Sequence, residues 1–430
     1  MLFKELRELE IRSKKINIGM SGSGWMARGF IRQVKYVPGM DVKLLVSSDP
    51  VKAKNILLET VMDERKILLS DNPEKATGWI ESGGYVVTAD YEMLGSVEII
   101  DIVTDVTPWP ESGIEAAYHA IKNGKDVVIV NIEADVTAGR ILKKMADEKG
   151  VLYSVSSGDE PGCLAELWDF VQTLGYTPVV IGKGKNNPLS PEANPDTVKE
   201  SAMKSKKDPY QVASYVDGTK TMFEMACAAN ATGCRPMRRG MIGPKANLKN
   251  VSKIFALIED NGISTHTHAV DFVQGEEMSG GVFITVKIED QVIQNDLEYL
   301  KVGIGKYFTF FRPYHLWFLE APLSFARAYL YKKPTLVPVN KPSAEVLTVA
   351  KKDLKPGDTL DTFGGYTFYG LIDTYENYQK EKALPVGIAP GAKLKNPVQK
   401  NQIIHWDDVE LDEKNIAVKL RRKQEESEMS

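Results

Sequence analysis

The stretch Lys15 to Phe30, K-I-N-I-G-M-S-G-S-G-W-M-A-R-G-F, decides the fold. Ile16 and Ile18 alternate as a short buried strand does, and Gly19, Gly22 and Gly24 follow. Trp25 to Val34 then continues with the spacing of a helix. Strand, glycine turn and helix in succession are the context that dinucleotide binding requires. One glycine permits the tight turn, a second lets the backbone approach a pyrophosphate, and a small third residue lets helix and strand pack closely. Ala27 takes that third place. The helix start adds N–H groups and a partial positive charge for phosphate oxygens. Gly19, Ser21, Gly22, Ser23, Gly24, Trp25 and Met26 are therefore the expected cofactor-facing residues.

Outward from this turn, Asp41 to Ser48 reads as a second strand. In NAD-specific versions of the fold an acidic residue near its end grips the ribose 2′-hydroxyl. Ser47 and Ser48 stand there instead, with Lys52 and Lys54 close by, which suits the 2′-phosphate of NADP. A shift of two residues would bring Asp49 into play and favour NAD. Further short apolar strands at 86–90, 99–104 and 127–131 alternate with helical stretches, which implies a parallel sheet covered on both faces. Thr104, Asp105, Asn131 and Glu133 fall in strand-end loops on the same edge as the glycine turn, where ligands bind in such sheets. For Asp105 and Glu133, helix capping is the equal alternative.

A strand at 151–156 runs into Ser157-Gly158-Asp159-Glu160-Pro161-Gly162. Asp159 and Glu160 could cap a helix, face a substrate hydroxyl, or hold a divalent cation such as Mg²⁺ or Mn²⁺. Pro178 to Lys185, P-V-V-I-G-K-G-K, reads as a strand leading into Asn186 and Asn187. Two lysines and two asparagines at a strand end suit a phosphate or a polyhydroxylated substrate. Asp217 is positioned to cap a helix that begins T-K-T-M-F-E-M, and Lys220 sits in its first turn. The helix dipole disfavours a lysine there, so its presence points to function. Pro313 reads as a helix start, flanked by Arg312 and His315, which suit anion binding or proton transfer. The helix that follows is expected to return to the first domain. His266 and His268 lack a third ligand, and local bonding is the better reading for them.

The 430 residues imply two or three domains. With 54 basic and 58 acidic side chains the net charge is −4, which favours neither nucleic acid nor an acidic membrane as partner. Cys163, Cys227 and Cys234 have no ligand spacing and read as thiols of a reducing, cytoplasmic compartment. No apolar run approaches the ~20 residues of a membrane span. The first fifteen residues form an amphipathic helix without the basic head of a signal peptide. From Pro334 the chain turns rich in proline, glycine and short strands, and it ends in the polar R-R-K-Q-E-E-S-E-M-S, expected to fray. The expected plan is α/β. A Rossmann domain spans 1–160, an α+β catalytic domain 161–333 and a small all-β module 334–420, with a polar tail at 421–430.

The glycine turn resembles that of homoserine dehydrogenases. The stretches S-G-D-E-P-G, G-K-G-K-N-N-P-L, V-D-G-T-K-T-M, R-R-G-M-I-G-P and R-P-Y-H-L together resemble the 1-deoxy-D-xylulose 5-phosphate reductoisomerase-like family. The C-terminal D-L-K-P-G-D, L-P-V-G-I and W-D-D-V are similar to the SAF (β-clip-like) domain carried by such proteins. The resemblance implies an NADPH-dependent oxidoreductase and a homo-oligomer, some members serving isoprenoid synthesis. It also implies that Asp217 and Lys220 correspond to the catalytic aspartate and lysine of homoserine dehydrogenases, at a spacing one residue shorter. The resulting expectation is reduction of a phosphorylated keto-sugar, with or after a skeletal rearrangement. Lys220 would supply the proton and stabilise the oxyanion. Lys183, Lys185 and Arg312 would hold the phosphate, and Asn186, Asn187 and His315 would orient hydroxyls. Two alternatives stand beside it: a dehydrogenase of another small hydroxy or keto acid, and a binding protein that senses the cofactor.

Overall fold

The computed structural model describes residues 1–339 and 341–429. It resolves into two compact units. The first comprises Met1–Asp159, Leu316–Val337 and the segment from Lys414 onward. Its strands are β1 (Ile16–Ser21), β2 (Met40–Val46), β3 (Ile67–Leu69), β4 (Tyr85–Thr88), β5 (Ile102–Asp105), β6 (Asp126–Ile129) and β7 (Tyr153–Val155). They form one parallel sheet in the order β3-β4-β2-β1-β5-β6-β7. Strand order therefore reverses between β1 and β5, which places the switch point at the glycine turn that follows β1.

Local chemistry starts the helices where the sequence marks them. Asp49, Asn72 and Asn131 accept hydrogen bonds from Lys52, Lys75 and Ala134 N–H at 2.9, 2.8 and 2.9 Å. These bonds satisfy donors that the first helical turn leaves without a partner. Pro50, Pro73 and Pro110 occupy first positions, where a missing N–H costs nothing. The helix Ala321–Tyr331 belongs to this unit, as expected: Phe318, Ala321 and Phe325 join the core of Ile16, Ile18 and Phe30.

The C-terminal tail corrects the sequence reading. Residues Ile416–Met429 are helical and Arg421 is 0% exposed. The cause lies in the helix Ile132–Lys149, which kinks at Ala138 (φ −143°). The kink breaks the ladder bond that Ile141 N–H would make to the Thr137 carbonyl. Arg421 Nη1 donates to that carbonyl at 3.0 Å, and Ile141 N–H donates to Gln424 Oε1 at 3.1 Å. A strongly polar segment is ordered because it satisfies a broken helix.

The second unit comprises Glu160–His315 and Pro338–Glu413. Strands β8 (Thr177–Lys185), β9 (Arg235–Pro236), β10 (Ala269–Gln274), β11 (Val282–Lys287) and β12 (Tyr307–Arg312) form a mixed sheet, ordered β12-β11-β8-β10-β9. Helices Glu160–Thr173 and Thr219–Thr232 pack on it. Two small antiparallel sheets follow, β13 (Ala344–Ala350) with β14 (Phe368–Thr374), and β15 (Lys393–Leu394) with β16 (Val409–Glu410). The β-rich segment was expected to stand apart but is tied to the rest of this unit at both ends of one helix. Gly370 N–H donates to Thr219 Oγ1 at 2.9 Å, and Asn230 Nδ2 donates to the Ala344 carbonyl at 3.1 Å. Among the described residues no helix is long and apolar enough to cross a membrane.

Candidate functional site

In the first unit the glycine turn has the shape a dinucleotide needs. Gly22 has φ +116°, where a side chain is strained, and an added Cβ would lie 3.1 Å from Val106 Cγ2. Gly24 starts the helix Trp25–Val34, and a Cβ there would meet nothing within 4 Å. That open cradle in front of a helix start fits a pyrophosphate, so the residues present suit the cofactor. Ala27 is fully buried in the core, as its packing role requires. Ser23 Oγ lies 2.7 Å from Ser47 Oγ, so the turn and the end of β2 are joined. Ser48 is exposed beside them, while the Asp49 carboxylate is committed to capping the next helix.

Five of the expected cofactor residues serve the scaffold at that edge, the fully buried Ser21 among them. Asp105, only 1% exposed, accepts from Ser21 Oγ at 2.5 Å, Asn131 Nδ2 at 2.8 Å and Thr107 Oγ1 at 2.9 Å. Burial pushes its carboxyl up to about 6 against the pull of these donors. Asn131 also caps the helix Ile132–Lys149, and Thr104 is fully buried, with no access to a ligand. Glu133 is buried in the first turn of that helix. Trp25, by contrast, is 52% exposed and meets Trp317 edge-on at 5.0 Å, giving the turn an aromatic wall.

The second unit gathers titratable groups on one face of its sheet. In β8, glycines alternate with lysines through 182–185. The glycines admit a neighbouring chain: a Cβ on Gly184 would lie 1.7 Å from the Met278 carbonyl oxygen. Lys183 and Lys185 point to the opposite face. Lys183 pairs with Val282 of β11, which pairs with Arg312 of β12, so these three share a row on that face. The Lys183 ammonium is bonded by both Glu160 and Glu224, and all three side chains are buried. Burial opposes its charge, but the two carboxylates outweigh burial and raise its pKa. Burial and the Glu160 charge push Glu224 up, while the Lys183 and Lys220 charges pull it down. His315 Nε2 lies 3.6 Å from Glu160 Oε1. Its Nδ1 lies 2.8 Å from the Gly280 carbonyl oxygen, which can only accept, so Nδ1 carries a proton and donates. Lys185 Nζ donates to the Tyr215 carbonyl at 2.5 Å, and burial, then the Lys183 charge, lower its pKa to about 8.

The structure thus brings together Glu160, Lys183, Lys185, Lys220 and His315. Other expectations change. Asp217 ends the helix Pro209–Val216, and the N-cap position of the next helix falls to Gly218, at φ +94°. Its carboxylate accepts from Lys351 Nζ and Thr219 N–H, each at 2.8 Å, so it is a buried structural anion. Arg312 ends a strand instead of preceding a helix, and it bonds Glu166 at 3.2 Å. His315 likewise lies in irregular chain after β12. Asn186 is exposed in a turn, accepting from Ser279 Oγ at 2.8 Å, and Asn187 follows it. Asp159 is half-buried and ends the first unit. Lys183 bonds Glu160 through Oε1 alone, and Asp159, Glu160 and His315 each offer one ligand atom within 4.8 Å of one another, a grouping that could hold the expected divalent cation.

Glu224, Lys351 and Glu166 escaped the sequence reading. Glu224 had a signal: it is a lone carboxylate within the apolar M-F-E-M-A-C-A-A, four residues after Lys220. Lys351 and Glu166 had none.

No curated protein matches this chain in sequence. Among solved structures, a probable dehydrogenase from Thermotoga maritima shares 13% identity over 74% of this chain and 90% of its own, at a TM-score of 0.41. The aldose-aldose oxidoreductase of Caulobacter crescentus shares 11%, over 76% and 92%, at 0.41. KijD10, a 3-ketoreductase from Actinomadura kijaniata in complex with NADP, shares 15%, over 75% and 91%, at 0.38. Likeness at this level assigns neither substrate nor cofactor. Residues 158–321 match the family model described as the catalytic domain of the oxidoreductase DRL. On that match the protein is read as an oxidoreductase.

Proposed function

We propose that the protein reduces the carbonyl of a small phosphorylated keto-sugar with NADPH. The observation that carries this reading is the buried amine–carboxylate cluster of Glu160, Lys183, Glu224, Lys185 and His315 within the oxidoreductase-like segment. NADPH, when bound, supplies the hydride. Ser47, which meets Ser23 of the glycine turn, and the exposed Ser48 suit its 2′-phosphate. Negative charge then grows on the carbonyl oxygen, and a cationic donor in a water-poor site stabilises it far more than water does. Lys220, half-buried in the first turn of the helix Thr219–Thr232, suits that role. Arg312 is the guanidinium that suits the phosphate, exchanging its bond to Glu166 for the ligand. His315 and Glu160 suit substrate hydroxyls.

One observation favours a second reading, a dehydrogenase of an unphosphorylated hydroxy or keto compound without isomerisation. Lys183 was expected to bind phosphate, but its charge is already matched by two carboxylates. Incubating the enzyme with NADPH and paired phosphorylated and dephosphorylated ketoses, 1-deoxy-D-xylulose 5-phosphate among them, separates the two. Turnover restricted to the phosphorylated members supports the first reading. Equal turnover of both supports the second, and tight NADPH binding with no turnover on any carbonyl overturns both.

A further inference from the structure

Lys183 and Lys185 lie two residues apart on one face of β8, yet the structure gives their amines opposite surroundings. Lys183 is held between Glu160 on the helix Glu160–Thr173 and Glu224 on the helix Thr219–Thr232. Its proton is locked. Lys185 has no carboxylate at ion-pair distance among the described residues, and its hydrogen bond goes to the neutral carbonyl of Tyr215. A carbonyl accepts more strongly from an ammonium but still accepts from a neutral amine, and unlike a carboxylate it carries no charge to hold the proton in place. The fixed charge of Lys183 favours that loss, while Glu224, Asp217 and Glu160 oppose it in part. Of these, Glu160 and Glu224 are spent on Lys183 and Asp217 on Lys351. A buried amine beside a second cation is the arrangement that brings a lysine into the range useful for proton transfer.

We propose that Lys185, and not Lys220, gives its proton to the carbonyl oxygen during reduction and recovers it in the reverse direction. The inference rests on the carbonyl reduction proposed above. As hydride adds to the carbonyl carbon, the C=O π pair moves to oxygen. The Lys185 Nζ–H bond breaks while the new O–H bond forms, and the neutral amine that remains takes a proton from water before the next cycle. Lys183 keeps its proton throughout and acts as the positive neighbour that makes Lys185 release its own. Lys220 stabilises the oxyanion by charge alone.

The first arm of the test needs no substrate. The folded, full-length protein is acetylated competitively from about pH 6 to about pH 10, and each lysine is followed by mass spectrometry. The inference expects Lys185 to gain reactivity with a midpoint near 8 and Lys183 to stay silent. A Lys185 midpoint near that of surface lysines overturns it. So does silence at Lys185, because an amine that a small reagent cannot reach cannot serve a substrate.

The second arm follows NADPH-dependent carbonyl reduction against pH in Lys185→Met and Lys185→Arg, with NADPH affinity confirming that each folds. Lys185→Met should lose at least ~100-fold in kcat, the usual contribution of a positioned acid. Lys185→Arg should lose the alkaline limb that the wild type shows near 8. Wild-type turnover with Lys185→Met unimpaired overturns the inference and leaves the reduction standing. A wild type that reduces no carbonyl overturns the reduction and the inference with it.

Discussion

Asp105 holds three side-chain donors at the edge of the first sheet, and the same burial that makes it a hub makes it sensitive to pH. An unfolded aspartate titrates near ~3.9. In the folded protein the group holds its proton up to about 6. Between those values the unfolded chain is ionised while the folded chain is not, so stability falls as pH rises through the window and levels off above it. Two units correspond to roughly 3 kcal/mol. Asp105→Asn has nothing to titrate. The stability advantage of the wild type over this variant should therefore be roughly 2 kcal/mol larger at pH ~4 than at pH ~7 by urea unfolding, and an equal gap at both would contradict the assignment. At the oxyanion, Lys220→Ala should lower turnover by at least ~100-fold with NADPH affinity unchanged, since a charge-stabilising donor acts on the transition state. At this scale the sequence exposed the residue types of the site but not their pairing. Lys183 was visible in G-K-G-K, yet its carboxylate partners lie 23 and 41 residues away along the chain. Only the packing of two helices on β8 shows that its charge is spent internally and that Lys185 stands differently.

The glycine turn and the C-terminal helix show how far an element can be read before it is seen. The turn was legible because its demands are local: φ +116° at Gly22 and open space at Gly24 follow from a few consecutive residues. Gly24→Ala should leave stability within about 1 kcal/mol, because helix and turn tolerate the Cβ, while weakening NADPH binding at least ~10-fold by blocking the pyrophosphate approach. Fluorescence titration against NADPH, with Trp25 as donor, reads the second quantity. The C-terminal helix was not legible. Its order depends on a kink at Ala138 nearly 280 residues earlier in sequence, and composition alone marks R-R-K-Q-E-E as solvated. Arg421→Ala should strand the Thr137 carbonyl in the interior, at a cost of about 1–3 kcal/mol. Thermal unfolding checks this. The variant should melt several degrees lower, and an unchanged midpoint would show that the plug is dispensable.

Across the whole molecule, the alternation of strands and helices gave the first sheet its class, because parallel strands buried on both faces leave near-continuous apolar runs. The boundaries were harder. Composition changes at Pro334, but the chain has already left the second unit at Leu316 and returns to it at Pro338. Lys351 illustrates why. It donates to the carbonyls of Ala193 and Gly365 and to the Asp217 carboxylate at 2.6, 2.8 and 2.8 Å, using all three protons of a buried ammonium. A residue from the β-rich segment thereby fixes Asp217, immediately before the helix that carries Lys220 and Glu224. Removing one partner of such a pair leaves a buried charge, so Lys351→Met should destabilise the second unit by about 3–5 kcal/mol, measurable by urea unfolding. The central claim, that the protein is a reductase of phosphorylated keto-sugars, is tested most directly by following loss of the reduced-nicotinamide absorbance with a panel of small ketose phosphates and their dephosphorylated partners. Steady NADPH consumption with at least one phosphorylated ketose, at least ~10-fold above its dephosphorylated partner, is the predicted result. No consumption above the enzyme-free rate with any member of the panel would contradict it.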